Sequence, residues 1–471
     1  MQDRCIGQSI KQRKEDDMRI AMNNRLKATA ITAAVLAVGA CAGFFKTILK
    51  RKRQMTIQLR PLVLAFSMAA AFAAPSAGAE NIKIAYIDAV TGPFAPLIKN
   101  SISSFEMFID QANKQKWAGN NTFELVVMDG KGSPQESLHQ LKLATDQGIR
   151  YVIHQVGSGV ALAMIDAVNK HNQRNPGKEV VYFNGAAIDP DLTNSKCSFW
   201  HFRFDANTDM KMEGITSELA KDKNIKKVFI IGQNYAHGHQ FAKAAKEMLK
   251  RKRPDIEIVG DDLHPIGQVK DFSPYVAKIK ASGADTVLTG NWGTDLSLLV
   301  KAAKDASLKT SFYTFYAFFD GTPTAMGADA ADRVKMIAYW HSNAEVNPAN
   351  TDVIDGFKKK YKLDFEWMGA NSIIGMLSKA IKETKSSDPI KVAYALEGMK
   401  YKGLSGEVEM RKADHQLEEP LYIATWTKAG GPGVKHDSEN TGYGWKTDVK
   451  LDSFVASQPT SCQMKRPAKP V

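Results

Sequence analysis

From residue 82 onward, short apolar runs alternate with longer stretches of helical spacing. The run 82–87 reads as a strand. After it, Ile98, Ile102, Phe105, Ile109 and Ala112 recur every three or four residues, which puts them on one face of a helix over 98–116. The runs 123–128, 151–156 and 180–183 predict further strands, with helices at 134–146 and 159–170 between them. Ser133-Pro134-Gln135-Glu136 reads as a capping box with proline at the first helical position. The rhythm returns with strands at 228–231, 256–259, 286–289 and 312–316, and helices at 239–251, 272–282 and 294–306. Such βαβ alternation builds parallel sheets covered by helices on both faces. Two series, separated near 200–212, predict an α/β fold of two lobes. From Ala429 the chain is richer in Gly, Ser and Pro, and irregular structure is expected there.

Charge at first suggests a nucleic-acid binder, with a formal net of +13 over 471 residues. Its distribution removes that picture. Residues 1–79 hold 13 of the 63 Lys and Arg but 4 of the 50 Asp and Glu, so residues 80–471 keep a net of only +4. The excess flanks two apolar stretches, 28–45 and 61–79, and includes the run Lys50-Arg51-Lys52-Arg53. Basic residues ahead of an apolar segment that ends in small-x-small (Ala77-Gly78-Ala79) mark a secretory signal peptide cleaved near Ala79. Met55 is then a plausible true start. Two other readings stay open: a lipoprotein anchored through Cys41, and 28–45 as a short membrane anchor. Cleavage leaves two cysteines, Cys197 and Cys462. Export to an oxidising compartment makes a disulfide between them reasonable, with two unpaired thiols as the alternative.

In open parallel sheets, ligands bind beyond the carboxyl ends of strands, where loops lead into helix N-termini. Four loops hold that position: Thr91-Gly92-Pro93-Phe94, Gly157-Ser158-Gly159, Gly185-Ala186-Ala187-Ile188 and Gly290-Asn291-Trp292-Gly293. Ser158 between two glycines offers a hydroxyl, exposed N–H groups and the positive end of a helix dipole, which together suit an anion. A plain N-cap is the competing role.

The segments IKIAYIDAVTGPFA (82–95), YVIHQVGSGVA (151–161), VFIIGQNYAHG (228–238), DFSPYVAKIKASGADTVLTG (271–290) and ASLKTSFY (306–313) carry a resemblance in their order and spacing. From about Ile82 to Thr427 the chain resembles the leucine/isoleucine/valine-binding family of periplasmic proteins. The resemblance implies two Rossmann-like lobes joined by three crossovers, expected near 202–206, 338–341 and 402–406. Lobe one would be 80–202 with 341–402, and lobe two 206–338 with 406–471. It also implies a monomeric, non-enzymatic receptor without a cofactor. Such a receptor binds a small molecule in the cleft and hands it to an ABC permease driven by its ATPase. A sensory module of the same fold, acting on a signalling partner, is the alternative.

Residue by residue, Ser158 matches the family serine that binds the ligand carboxylate. Ala186 and Ala187 fall in the loop whose backbone faces the ligand. Ile188 replaces a usual Thr, and Tyr316 stands where amino-acid binders place a Glu, so both usual partners of an α-ammonium are missing unless Asp189 or Asp320 substitutes. Trp292 matches an aromatic lid, with a half-buried core Trp as the bland alternative. Phe94, Phe315 and Tyr316 could add an aromatic wall, and His237 is a further cleft candidate. The implied ligand is a small carboxylate, with amino acid and ammonium-free acid both open.

Other signals carry less. The His237/His239 pair has no acidic or Cys companion at ligand spacing, so no metal is expected. Gly157-Ser158-Gly159 lacks the spacing of a nucleophile elbow, and there is no Walker loop. Asp129 and Asp189 read as capping or solvated carboxylates. The run Lys250-Arg251-Lys252-Arg253 ends a helix, where cations suit the dipole, and permease docking is its weaker reading.

Overall fold

The computed structural model describes residues 79–344 and 348–470. The leader expectations, including Met55, Cys41 and the two apolar stretches, fall almost wholly outside the described residues. Among those that are described, no helix is long and apolar enough to cross a membrane.

Two sheets organise the molecule. The first contains β1 (Asn81–Asp88), β2 (Thr122–Asp129), β3 (Tyr151–His154), β4 (Val181–Asn184) and β5 (His201–Arg203), all parallel, in the order β2-β1-β3-β4-β5. The second contains β6 (Lys227–Gln233), β7 (Glu257–His264), β8 (Thr286–Thr289), β9 (Ser311–Thr314) and β10 (Val334–Ala338), with two antiparallel strands further along the chain at its edge. Inner strands such as β3, β4 and β8 are buried at every residue, whereas the edge strands β2 and β7 alternate with exposed positions. Helices on both faces demand that difference. In the first lobe, helices Ala95–Lys114 and Gly369–Thr384 pack together, as do Pro134–Asp146 and Ser158–Arg174.

Several expectations need correction. Ser133 begins its helix, but its side chain makes no cap; the hydroxyl donates to Gln135 Oε1 at 3.0 Å instead, so no capping box forms. The break expected near 200–212 contains β5 and the start of helix Thr208–Leu219, capped by Asn207, whose side chain accepts from Met210 N. The third crossover is not at 402–406. Those residues turn a hairpin between β11 (Lys400–Gly403) and β12 (Gly406–Met410), closed by the pair Gly403–Gly406 with Gly406 at φ +92°. The hairpin continues into β13 (Leu417–Glu418), tied to the first sheet by a bridge between Arg203 and Gln416. Only then does the chain enter the second sheet as β14 (Leu421–Lys428), so the third passage lies at 419–420. The region after Ala429 also holds more order than expected. β15 (Tyr443–Leu451) pairs antiparallel along β14 and buries Trp445. Its polar alternation had concealed a half-buried edge strand.

Past β15, a disulfide joins Cys462 to Cys197, with Cα atoms 5.7 Å apart. Around it Thr460 donates to Thr193 O, Arg466 pairs with Glu397 at 2.7 Å, and Tyr394 donates to Pro467 O at 2.5 Å. These bonds hold the tail against elements of the first lobe, whereas the expectation grouped it with the second. A link over 265 residues removes much freedom from the unfolded chain. Replacing both cysteines with serine is expected to lower unfolding free energy by about 2–5 kcal/mol, measured by urea melts, and reductant should then have no further effect.

Candidate functional site

In each sheet the direction of strand addition reverses once, between β1 and β3 and between β6 and β8. At such a switch point neighbouring loops diverge and leave a crevice beyond the strand ends. The two crevices face each other. Between them lies a narrow, partly open cavity. Leu97, Val156, Gly157, Ser158, Ala186 and Ile188 line it from the first lobe, and Tyr235, His237, Trp292, Tyr316 and Phe319 from the second.

Asp88, at the end of β1, shapes the first-lobe rim. Its carboxylate accepts from the N–H groups of Ala89, Gln155 and Val156, the last two at 2.7 and 3.3 Å. This holds the turn that delivers Gly157, whose φ of +100° only glycine adopts freely. Ser158 is the first residue of the following helix, and no side chain caps that helix. Its first N–H groups therefore lack side-chain acceptors. Ser158 is 1% exposed, and its Oγ accepts from Asp189 N at 3.3 Å, which leaves the hydroxyl proton free to donate.

The opposite wall is aromatic. Trp292 donates its indole N–H to Tyr235 Oη at 2.8 Å, so the Tyr235 proton is free to point elsewhere. Phe94 packs tilted against Trp292, ring centres 4.3 Å apart, and Thr294 donates to Pro93 O at 2.6 Å. The loop of 91–94 thus closes over Trp292 from outside. His237 is buried with both ring nitrogens occupied, Nε2 by Gly290 O at 3.1 Å and Nδ1 by Thr208 Oγ1 at 3.2 Å. Burial pushes its pKa down to about 4, so it is neutral and presents a ring face.

Beneath Tyr316 lies a buried charged cluster. Lys211 and Asp205 pair at 2.8 Å with no exposure, and Tyr316 Oη donates to Asp205 Oδ2 at 3.2 Å. The Lys211 ammonium sits 4.5 Å from the Tyr316 ring centre. Glu419 joins them; burial and then the charge of Asp205 push its carboxyl well above the usual range. Asp205, Tyr339 and Glu419 belong one to each of the three crossovers, and Gln416 links Arg203 to Asp205 O.

Of the sequence candidates, Ser158, Ala186, His237, Trp292 and Tyr316 meet at the cavity. Phe94 packs behind Trp292 and does not line it. Ala187 does not line it either, because both its backbone groups bond the Asn184 side chain at 2.8 and 2.9 Å. Neither Asp189 nor Asp320 reaches the cavity, and Phe315 packs on Phe241 at 5.0 Å. Asp129 accepts from Val90, Thr91 and Lys131 and braces the loop before Phe94. Lys252 and Arg253 bond neighbouring carboxylates and carbonyls. Leu97, Val156, Tyr235 and Phe319 were missed; Tyr235 was within reach, since it precedes a helix start at the β6 end.

The description "periplasmic binding protein" fits residues 81–432 as a family model. The chain belongs to the periplasmic binding protein family. It is 30% identical over 405 residues to the Leu/Ile/Val-binding protein homolog 4 of Brucella abortus, covering 84% of this chain and 95% of that one. A crystal structure of the leucine-, isoleucine-, valine-, threonine-, and alanine-binding protein from Brucella ovis, in a closed conformation, superposes with a TM-score of 0.73 at 29% identity, covering 83% of this chain and all of the other. A solute-binding protein of an ABC transporter from Rhodopseudomonas palustris, in complex with 3,4-dihydroxybenzoic acid, shares the fold with a TM-score of 0.68 at 19% identity, covering 79% and 98%. This family membership makes the chain a solute-binding protein of the ABC-transporter class, not an enzyme.

Asp88 gives this binding protein a measurable signature. Burial pushes its carboxyl up to about 7, against the pull of the three N–H groups it accepts from. A raised folded-state pKa means that the folded state holds the proton more tightly, so its stabilising contribution is full below about pH 4 and is lost as pH rises through about 7. Asp88→Asn should flatten the fall in urea stability between pH 5 and pH 8, and an unchanged slope would show that Asp88 is ordinary.

Proposed function

We propose that the cavity binds a small monocarboxylate with an apolar or aromatic body and no α-ammonium, and that the protein delivers it to an ABC permease from the periplasm. The observation that carries this reading is the composition of the wall. No carboxylate lines it, and two hydroxyls, the buried one of Ser158 and the half-buried one of Tyr235, each retain a proton to donate. Donors at a helix N-terminus suit an anion. A buried ammonium needs an opposite charge, which desolvation makes costly to omit. Where the family resemblance places a Glu, Tyr316 stands here with Lys211 behind it.

The rest of the wall supports an apolar body. Leu97, Val156, Ile188, Trp292 and Phe319 would take a ring or a branched chain. The Rhodopseudomonas palustris protein in complex with 3,4-dihydroxybenzoic acid is a precedent within the fold. The Brucella relatives' names point instead to aliphatic amino acids.

Mechanism here is a population shift. A ligand touching six residues of one lobe and five of the other gains its full contact only when the cleft is shut, and so stabilises that form. The permease then has a shape to read. Secretion through a signal peptide cleaved near Ala79 completes the reading.

Calorimetry on the mature chain with benzoate, 4-methylpentanoate and leucine tests it. The acids should bind and leucine should not. Tight leucine binding with no response to either acid would refute the proposal. Ser158→Ala removes one hydrogen bond to a charged group and should weaken acid binding about 10- to 100-fold.

A further inference from the structure

Behind Ser158, a buried arginine holds three separate segments together. Arg203 is the last residue of β5 and is fully buried. Its planar fork donates in three directions: Nε to Gln416 Oε1 at 2.6 Å, Nη1 to Asp189 O at 2.6 Å, and Nη2 to Thr193 Oγ1. All three acceptors are neutral. The acids around it are engaged elsewhere. Asp414 pairs with Arg411 at 2.5 Å, Asp205 pairs with Lys211 at 2.8 Å, and the Asp189 carboxylate accepts from Asp191 N at 2.9 Å. Burial lowers the guanidinium pKa only to about 10, so the charge stays. For stability alone, a desolvated cation on neutral acceptors is a costly choice. Arg253 shows the ordinary arrangement: also buried, it sits on the carboxylate of Asp255 at 2.7 Å.

What the fork secures is the backbone beside the Ser158 hydroxyl. Asp189 follows Ile188, which lines the cavity. Its carbonyl takes one arm of the fork, and its N–H donates to Ser158 Oγ at 3.3 Å. A hydroxyl that accepts there keeps its own proton to donate elsewhere. Thr193 ends the short turn Pro190–Thr193 and takes a second arm, which fixes the chain on the far side of Asp189. The third arm reaches towards the other wall. Gln416 donates onward to Asp205 O at 2.9 Å, and the Asp205 carboxylate accepts from Tyr316, which lines the cavity from the second lobe.

We propose that Arg203 is a positioning residue for the ligand carboxylate: without touching the ligand, it fixes Asp189 so that the Ser158 hydroxyl is aimed into the cavity. This rests on the reading that Ser158 holds a carboxylate, and it is independent of whether the ligand also carries an ammonium. Lysine cannot do the same work. An ammonium on a flexible stem keeps the charge but lacks the planar fork that meets three acceptors at once.

A purely structural role is the competing account. It predicts lower stability and no special connection to Ser158, and a double-mutant cycle separates the two. The cycle is calorimetry with benzoate on the mature wild type, Arg203→Lys, Ser158→Ala and the double variant. Arg203→Lys should weaken binding about 10-fold, as the loss of one hydrogen bond to a charged group would. In the Ser158→Ala background the same substitution should change affinity by less than about 2-fold. Thr193→Val removes the acceptor of one arm with little change of shape. It should show the same coupling more weakly, and it carries the test should Arg203→Lys fail to fold. Arg253→Lys should lower the melting temperature and leave affinity unchanged. Losses that multiply between Ser158→Ala and either fork variant, or an Arg203→Lys protein that binds as tightly as wild type, would overturn the proposal. A wild type that takes leucine and not benzoate would overturn the ammonium-free reading alone; the same cycle run with leucine then decides the role of Arg203.

Discussion

The arrangement depends on a salt bridge with no access to water. Lys211 and Asp205 pair where the three crossovers meet, and the pair holds Tyr316, whose ring floors the cavity. A buried ion pair is weak evidence of stability, because desolvation offsets much of the Coulomb gain. Removing one partner is a different matter: it strands a charge and costs about 3–5 kcal/mol. A polar cluster at this point restricts how the crossing strands fit together. Burial, and then the charge of Asp205, raise the Glu419 carboxyl, so a second negative charge beside the pair is disfavoured. The Asp205 charge is already taken up by Lys211 and by the Tyr316 hydroxyl.

The character of the site follows from that pairing. A cavity floored by a tyrosine over a buried ion pair, walled by tryptophan and phenylalanine and provided with two hydroxyl donors, is the basis on which we propose a carboxylate with an apolar body as ligand. The loops that supply the donors are fixed from below. Asp88 ties the turn before Ser158, and Trp292 ties Tyr235. Little rearrangement of the donors is needed when a ligand arrives, so the binding free energy remains available to hold the lobes shut.

Much of this was legible in the chain. Strand runs followed by Gly-rich loops and helical stripes located both sheets, and four loops beyond strand ends contained Ser158, Ala186 and Trp292. That logic is local, and it fails where pairing is long-range. The hairpin at 400–418 and the strand Tyr443–Leu451 are specified by partners far along the chain, and their alternating polar residues look like surface loop. Ala187 was misjudged because a side chain three residues before it takes both of its backbone groups. Phe319 and Leu97 reach the cavity through the packing of lobes, which no local spacing encodes.

The central claim is that the carboxylate is held by hydroxyls of both lobes and not by the hinge. A crystal structure of the mature protein with benzoate tests it most directly. One carboxylate oxygen is expected within hydrogen-bond distance of Ser158 Oγ, another at Tyr235 Oη, and the ring between Trp292 and Phe319. A ligand turned to place its carboxylate on Lys211, or seated outside the cavity, would contradict it.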